Sequence, residues 1–197
     1  MNYLAHAYLS FGNEPVLIGN MISDFIKGKQ KFNFPENVQK GIMLHRMIDT
    51  FTDGHTATKE AKEIFKPFAD RYAGAFVDVI YDHFLAVDET EFPLNKLEYF
   101  ANETYHFLKN NEDILPDRFR NMLPHMINQN WLLNYRFEWG IENSFNGIFR
   151  RAKYLQKNNL IFECFTKNYK MLQRCYDEFF PALKNFASIE FNLLAEQ

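Results

Sequence analysis

Apolar residues recur along this chain at the three- and four-residue spacing of an α-helix, and this periodicity limits the fold more than any other feature. Between Val16 and Lys27 the apolar positions follow the i, i+4 and i+8 rows of one helix. The segment Ala75–Leu85 is apolar on nearly all sides, which is typical of a helix surrounded by other helices. The sequence therefore predicts an all-α protein, a single-domain orthogonal helical bundle over residues 1–197.

Prolines and glycines divide the chain into predicted helices. The helix over residues 35–53 begins with a proline and an acid, which are typical of a first turn, and a glycine follows it as a stop. Two further prolines are expected to open segments over residues 67–87 and 93–110. Residues 159–196 are predicted to be helical throughout, with a kink at Pro181.

The composition excludes two broad classes of protein. Of 197 residues, 47% are apolar, and 25 acidic against 22 basic residues give a formal net charge of −3. A disordered chain would combine low hydrophobicity with high net charge, and a general nucleic-acid binder would carry a basic excess. Aromatic residues make up 17% of the chain, which predicts a large core rich in rings.

The cysteines and the first residues predict a cytoplasmic protein. Cys164 and Cys175 are too few for a disulfide framework and too far apart for a CxxC metal motif. We therefore expect two buried thiols in a reducing compartment. Residues 1–6 lack the pattern of a signal peptide, and no apolar run approaches the ~18 residues of a membrane span. We expect no membrane partner.

A histidine and two aspartates share one face of the helix predicted over residues 35–53. His45 and Asp49 are four residues apart, as are Asp49 and Asp53, so each pair differs by about 40° around the helix axis. An imidazole nitrogen beside carboxylate oxygens suits a divalent cation such as Mn²⁺, Fe²⁺, Zn²⁺ or Mg²⁺. The alternative is a common i, i+4 pair on a solvated face, and this helix alone favours that alternative.

The apolar segment Ala75–Leu85 contains three residues that can carry charge: Asp78, Asp82 and His83. An ionised carboxylate inside a bundle costs free energy unless a positive group meets it. We therefore expect an arginine, a lysine or a metal ion beside Asp82. Because adjacent helix residues lie about 100° apart, one of Asp82 and His83 would bind the ion while the other orients a ligand. The alternative is a buried Asp–Arg bridge beside a histidine with satisfied hydrogen bonds.

His6 and Asp24 are isolated polar residues in apolar helical segments. Taken singly, each is more typical of a core residue with satisfied hydrogen bonds. Four helices that each turn a histidine or an aspartate inward are harder to explain by packing, because every buried polar group needs its own partner. The sequence contains no P-loop, GxGxxG, HExxH or GxSxG motif. These residues favour a metal-assisted hydrolase with water as the nucleophile, whereas His106 and His125 are expected on the surface.

At these residues the sequence resembles the acyl carrier protein phosphodiesterases, a family related to the HD superfamily of metal-dependent phosphohydrolases. The matching strings are MNYLAH at 1–6, Gly19-Asn20 with Asp24-Phe25, GIMLHRMIDTFTD at 41–53 and DHFL at 82–85. A weaker similarity continues through Asn146-Gly147 and Arg150-Arg151 into the C-terminal helix. The similarity spans nearly the whole chain.

The resemblance implies an HD-domain-like fold and hydrolysis of the phosphodiester that joins phosphopantetheine to a serine of holo-acyl carrier protein. The products would be apo-carrier protein and free phosphopantetheine, with Mn²⁺ as the expected cofactor. Relatives often carry a tryptophan shortly after DHFL and a proline after the histidine that follows FTD. This chain has Val87-Asp88-Glu89 and Thr56 there, and these departures bear on substrate fit more than on chemistry.

The expected metal site comprises Asp24, His45 and Asp49, with Asp82 or His83 as a further ligand and His6 and Asp53 as ligands or as residues that orient them. The expected catalytic residues are His45, Arg46 and Asp49. The metal would activate a water while a carboxylate or an imidazole takes its proton. Arg46 would bind a phosphate oxygen, or it would pair with Asp49 or Asp82.

Basic residues offer candidate contacts for the phosphate or for an acidic carrier protein. They are Lys27, Lys29 and Lys31, with Lys40 nearby, and the pair Arg150-Arg151. Such clusters raise association rates and weaken with salt. The alternative for the lysines is an ordinary solvated loop, and for the arginine pair a solvated helix face.

Three interpretations stay open at this point. The first is a carrier-protein phosphodiesterase, and the second is a nucleotide or other small-molecule phosphohydrolase of the HD type. The third is a helical binding protein whose buried histidines and aspartates are structural. A bound divalent ion, with a loss of stability in EDTA, would separate the first two from the third.

Overall fold

The computed structural model describes residues 1–196, and in this range the chain consists of helices joined by turns, with no β-strand. The α-helices are α1 (Tyr3–Tyr8), α2 (Glu14–Ile22), α3 (Glu36–Gly54), α4 (Thr56–Ala69), α5 (Ala73–Val87), α6 (Lys96–Asn110), α7 (Asp117–Asn128), α8 (Trp131–Asn134), α9 (Glu138–Arg151), α10 (Leu160–Lys167) and α11 (Tyr169–Ala195). The 3₁₀ helices are Ser23–Phe25, Gly28–Asn33, Asp70–Tyr72 and Glu112–Ile114. The all-α class is confirmed, whereas the orthogonal, HD-like arrangement stays a prediction.

Two glycines bring α2 and α3 into backbone contact. A Cβ atom on Gly19 would lie 2.0 Å from the carbonyl oxygen of Val38, and one on Gly41 would lie 2.2 Å from that of Val16. No Cβ atom fits at such distances, so both positions require glycine. The close approach places the main chain of α2 against side chains of α3.

Buried aromatic and aliphatic side chains fill the space between the helices. The fully buried rings include Phe65, Phe76, Tyr81, Phe165 and Phe179. The helix α11 packs against α3, α4 and α5, and Phe179 of α11 stacks on Tyr81 of α5 with ring centroids 4.8 Å apart. Each such ring buries on the order of 200 Å². The predicted core rich in rings is confirmed.

The short helix α1 is anchored by a carboxylate from α5. Asp82 accepts hydrogen bonds from three backbone N–H groups, those of Asn2 (3.1 Å), Leu4 (2.7 Å) and Ala5 (3.4 Å). A helix leaves its first N–H groups without intrahelical partners, and its dipole makes that end positive. A six-residue helix is not stable by itself, so this contact fixes the position of α1 and of His6 on it.

One predicted helix end and one predicted helix start are wrong. The helix predicted to reach residue 27 ends at Ile22, and the chain continues as the 3₁₀ helix Ser23–Phe25. Pro67 does not open a helix but lies inside α4, near its C-terminal end, where the missing N–H costs only one hydrogen bond. The residue Asp70, with φ of 44°, ends α4 instead, and α5 begins at Ala73.

The C-terminal segment divides into two helices at Asn168 rather than running on to Pro181. The side chain of Asn168 donates a hydrogen bond to the carbonyl of Cys164, which caps the end of α10. Pro181 lies within α11. By contrast, α3 matches the helix predicted over residues 35–53, and α6 ends at Asn110 as predicted.

Several smaller expectations concern single residues. Cys164 and Cys175 are buried free thiols, and His106 and His125 are exposed, as predicted. Among the helices of residues 1–196, none combines the length and the apolar character that crossing a bilayer requires.

Candidate metal centre

Three side chains from α1 and α3 converge on one point near the surface. One ring nitrogen each of His6 and His45 and a carboxylate oxygen of Asp49 all lie within 4.8 Å of one another. The two imidazoles are parallel to within 14°, with ring centroids 3.8 Å apart. We call His6, His45 and Asp49 the trio. Both histidines are buried, at 3% and 5% exposure, whereas the Asp49 side chain is 40% exposed.

Both histidines direct Nε2 toward carboxylate oxygens. His6 Nε2 lies 3.2 Å from Asp49 Oδ1, and His45 Nε2 lies 3.1 Å from Asp49 Oδ2. Asp24, on the 3₁₀ helix Ser23–Phe25, brings its Oδ1 to 3.3 Å from His45 Nε2 and is 71% exposed. Asp24 thus lies at the exposed edge of the trio and approaches it through His45.

The opposite ring nitrogens are held by α2. His6 Nδ1 lies 2.8 Å from the side-chain oxygen of Asn20, and His45 Nδ1 lies 2.7 Å from the main-chain oxygen of Asn20. Within residues 1–196, neither Nε2 has a hydrogen bond of acceptable geometry, although both atoms are buried. Buried nitrogens without partners are rare in folded proteins, and here two of them face the same carboxylate.

The charges of the trio are strongly coupled. Burial and the charge of His45 lower the pKa of His6 to about 4. Burial also opposes charge on His45, but the carboxylates of Asp24 and Asp49 outweigh it and raise the pKa of His45 to about 9. Burial would raise the pKa of Asp49, yet the two imidazoles overcome this and hold it well below its usual range. Without a metal, the electrostatics of the trio therefore favour a proton on His45 and a neutral His6.

The α-ammonium group of Met1 lies beside the trio. It donates hydrogen bonds to Asp78 Oδ1 at 3.1 Å and to Asp49 Oδ1 at 3.5 Å. Burial disfavours its charge, but the nearby aspartates raise its pKa to about 10. The residue patterns did not indicate this contact, because the position of a chain terminus in a fold has no signature in the sequence.

The donor set of the trio fits a divalent cation. Two neutral imidazole nitrogens and one carboxylate suit Mn²⁺, Fe²⁺, Co²⁺ or Zn²⁺. Each imidazole is oriented through its other nitrogen, as the histidine ligands of metal sites almost always are. Once His45 has given up its proton, the two Nε2 atoms supply the lone pairs that a cation would take. Asp24 is near enough to His45 to join them from the exposed side.

Asp82 is the first predicted ligand that the structure places elsewhere. Its oxygens accept the hydrogen bonds from the N-terminus of α1 described above, and burial raises its pKa to about 7. We expected an arginine, a lysine or a metal beside this carboxylate. The positive groups are instead the α-ammonium group of Met1 and the N-terminus of α1, which residue types do not reveal.

His83 is also outside the trio. Its Nδ1 lies 2.8 Å from the carbonyl oxygen of Tyr135, and its Nε2 lies 2.9 Å from the hydroxyl of Tyr169. A carbonyl only accepts, so Nδ1 carries the proton and Nε2 accepts from the hydroxyl. No lone pair of His83 is left for a metal, and burial lowers its pKa. This outcome matches the alternative of a histidine with satisfied hydrogen bonds.

Asp53 and Arg46, both on α3, lie outside the trio. The carboxylate of Asp53 accepts a hydrogen bond from Lys62 of α4 at 2.6 Å, on the exposed side of the helix. Arg46 is exposed and donates a hydrogen bond to the carbonyl of Ile26 at 3.2 Å. Within residues 1–196, Arg46 forms no ion pair with Asp49 or Asp82, so its charge is available to a ligand.

The predicted basic contacts lie at two places. Lys27 and Lys29 are exposed just beyond Asp24, and Lys31 lies over the ring of Phe32, while Lys40 pairs with Glu36 in α3. Arg150 and Arg151 are exposed at the end of α9. Burial and the charge of Asp24 raise the pKa of Tyr3 to about 12, and the charge of Arg151 opposes them. The charges of Arg151 and Asp24 thus both act on Tyr3.

Two residues have a more direct role in the site than the sequence predicts. His6 was expected as a ligand or as an orienting residue, and the structure brings it into the trio itself. Asn20 is not among the predicted site residues, yet it contacts both imidazoles. Its signal in the sequence is a single amide in the apolar segment of α2.

Comparison with known proteins agrees with the resemblance seen in the sequence. The family model described as acyl carrier protein phosphodiesterase matches residues 1–183. Proteins named acyl carrier protein phosphodiesterase from Escherichia coli O139:H28 (strain E24377A) and O9:H4 (strain HS) are each 33% identical over 195 residues. These alignments cover 95% of this chain and 98% of each relative. No solved structure matches the chain.

Proposed function

Because the chain belongs to the acyl carrier protein phosphodiesterase family, we propose that it hydrolyses the phosphodiester between phosphopantetheine and a serine of holo-acyl carrier protein. The products are apo-carrier protein and free phosphopantetheine. We propose further that the trio holds a divalent cation, with Mn²⁺ as the metal that the family resemblance favours. Fe²⁺ and Zn²⁺ also suit the donor set, whereas Mg²⁺, which prefers oxygen ligands, suits two imidazoles less well.

One observation carries the metal part of this proposal. The Nε2 atoms of His6 and His45 are buried, lack hydrogen bonds and face one carboxylate. A structural histidine would form hydrogen bonds within the protein through both ring nitrogens, as His83 does. The convergence of two lone pairs and a carboxylate is the arrangement that a cation stabilises.

The residues of the site divide the work between holding the metal and holding the substrate. His6, His45 and Asp49 bind the cation, and Asp24 completes the set from the exposed edge. When bound, the cation supplies a Lewis acid that polarises a phosphoryl oxygen and activates water. Arg46, whose exposed guanidinium is tethered to the Ile26 carbonyl, binds a phosphate oxygen.

The carrier protein docks, in this proposal, beside Asp24. Lys27 and Lys29 are exposed there, and Lys31 follows in the same 3₁₀ segment. A local basic cluster attracts an acidic partner despite the overall charge of −3. Arg151, which acts on Tyr3 together with Asp24, offers a second positive contact at the site.

We place the activity in the cytoplasm and in one domain over the whole chain. Both cysteines are buried thiols on separate helices, α10 and α11, which suits a reducing compartment. The buried apolar side chains form one cluster that extends from Met1 to Leu194.

Incubation with holo-acyl carrier protein tests the function directly. With Mn²⁺ present, mass spectrometry of the carrier protein should show the loss of the phosphopantetheine group, and EDTA should stop the reaction. The Asp49→Asn variant is the matched control for contaminating activity, because it removes the carboxylate of the trio without changing side-chain size. An unchanged carrier mass together with hydrolysis of nucleotides would replace this proposal with a small-molecule phosphohydrolase. Full activity in EDTA would refute the role of the metal.

A further inference from the structure

A single buried residue of α2 contacts both imidazoles of the trio. Asn20 is 0% exposed, its side-chain oxygen lies 2.8 Å from His6 Nδ1, and its main-chain oxygen lies 2.7 Å from His45 Nδ1. We infer that Asn20 is the positioning residue of the metal centre, which engages Nδ1 of both rings and so directs both Nε2 atoms at Asp49. This inference deepens the proposed function and rests on it.

The orientation of the Asn20 amide follows from its neighbours. The Asn20 Nδ2 lies 2.8 Å from the main-chain oxygen of His6, and an oxygen there only accepts hydrogen bonds. The amide nitrogen must therefore face His6 O, and it also donates to the Ser10 hydroxyl at 3.2 Å. Ser10 in turn donates to His6 O at 2.9 Å. The amide is locked, so that its oxygen faces His6 Nδ1.

The locked amide dictates the tautomer of His6. An amide oxygen accepts, so the proton of neutral His6 resides on Nδ1 and Nε2 keeps its lone pair. In the opposite tautomer, Nε2 would donate to Asp49 Oδ1, which lies 3.2 Å away. That bond would turn the trio into a satisfied His–Asp pair with no lone pair for a cation. Asn20 prevents this outcome.

The second imidazole is held by the main chain of the same residue. The carbonyl of Asn20 accepts from His45 Nδ1, which again leaves Nε2 directed at Asp49. This contact depends on the glycine pair of α2 and α3, since a Cβ on Gly19 or Gly41 would separate the two backbones. A substitution at position 20 therefore removes the restraint on His6 and keeps the restraint on His45. The His45 ring therefore serves as an internal control for the effect of the substitution on the His6 ring.

The wild-type protein gives the first test. Nitrogen-15 spectra of the histidine rings in protein treated with chelator, near neutral pH, distinguish a protonated Nδ1 from a protonated Nε2. We expect His6 to carry a proton on Nδ1, facing the amide oxygen of Asn20. A neutral His6 with its proton on Nε2 would overturn the inference without any variant.

The second test compares three variants by ring spectra of metal-free protein and by Mn²⁺ affinity. Asn20→Ala should give mixed His6 tautomers, unchanged His45 resonances and Mn²⁺ binding weaker by about 10- to 100-fold. Asn20→Asp keeps an acceptor for His6 Nδ1 but loses the donor to the His6 carbonyl, so it should restore the Nδ1 proton and weaken Mn²⁺ binding less than Asn20→Ala does. Ser10→Ala, equally buried but without ring contact, should keep both the tautomer and the affinity.

Each contrary result has a definite meaning. Wild-type tautomer and affinity in Asn20→Ala would overturn the inference, as would an equal loss in Ser10→Ala, which would indicate general damage to the network. If Asn20→Ala does not fold, Asn20→Asp and the wild-type spectra still decide. The tautomer is measured without metal, so a wild-type protein that binds no Mn²⁺ would refute the proposed function and leave the His6 result standing.

Discussion

Two buried groups of histidine and aspartate lie in this molecule, and they differ in how far the protein satisfies their polar atoms. In the trio, each imidazole uses Nδ1 within the protein and leaves Nε2 without a hydrogen bond. In the Asp82–His83 pair, both ring nitrogens and both carboxylate oxygens have partners. Both groups are built from the same residue types, and their histidines are similarly buried, whereas the Asp49 side chain is 40% exposed and Asp82 is fully buried.

The comparison shows that burial and residue type do not identify a binding site. A buried polar group whose partners all come from the protein stabilises the fold, as Asp82 does by anchoring α1. A buried group with a lone pair left over is costly unless something binds there. The trio is the group of the second kind, and the two groups should therefore respond differently to the same substitutions.

The largest difference is expected in catalysis, where one substitution can be made at both places. His45→Gln should reduce kcat/KM on holo-acyl carrier protein by about 10³-fold, because several kcal/mol of metal-dependent transition-state stabilisation is lost. His83→Gln should stay within about fivefold of wild type. Rates would be measured with Mn²⁺ on variants whose circular dichroism shows a folded protein. Equal losses in two folded variants would erase the distinction between the groups.

The next difference is expected in stability, and it has the opposite order. Asp82→Ala should lower the free energy of unfolding by about 3 kcal/mol, because the N–H groups at the start of α1 lose their acceptor. Urea denaturation of the metal-free proteins measures this. Asp53→Ala removes an exposed partner of Lys62 and serves as the control, with a cost of about 0.5 kcal/mol. A loss for Asp82→Ala as small as that of Asp53→Ala would contradict the anchoring role.

The smallest effect is a pH dependence of opposite sign in the two groups. The folded-state pKa of His45 is raised to about 9, so its contribution to stability is complete below its unfolded pKa of 6.5 and is lost as the pH rises through 9. The loss from pH 7 to pH 9 amounts to about 2 kcal/mol. The pKa of His83 is lowered, so its contribution is present above pH 6.5 and is lost as the pH falls.

Urea denaturation of chelator-treated protein at several pH values checks these signs. His45→Gln should remove the decline between pH 7 and pH 9, and His83→Gln should reduce a decline below pH 6.5. A decline above pH 7 that persists in full in His45→Gln would contradict the assigned coupling of His45 to Asp24 and Asp49.

Much of the fold was predictable because the residues that specify a helix lie within it or next to it in the sequence. The 3.6-residue periodicity, the proline and acid at the start of α3 and the glycine at its end predicted that helix with its bounds. Pro67 misled the prediction, since a proline tolerated near the end of a helix resembles one that begins a helix. The division at Asn168 depends on one side-chain bond to Cys164, which the periodicity does not contain.

Half of the candidate site was predictable for the same reason. His45 and Asp49 share a face of one helix, so their proximity follows from their spacing alone. Asp82 and His83 occur in an equally suggestive string, but their partners are a helix N-terminus, a carbonyl and a hydroxyl from distant parts of the chain. Spacing along one helix carries no information about such partners.

The amino-acid order thus specified an all-helical chain, an aromatic interior and a histidine–aspartate face on α3, because each arises within one or two helical turns. The packing of α1 and α2 onto α3 selected His6 as the third member of the trio and Asn20 as the residue behind both rings. The tertiary packing also gives Asp82 and His83 hydrogen-bond partners within the protein. The physical reason is that hydrogen-bond satisfaction is a property of assembled neighbours, which only the tertiary structure brings together.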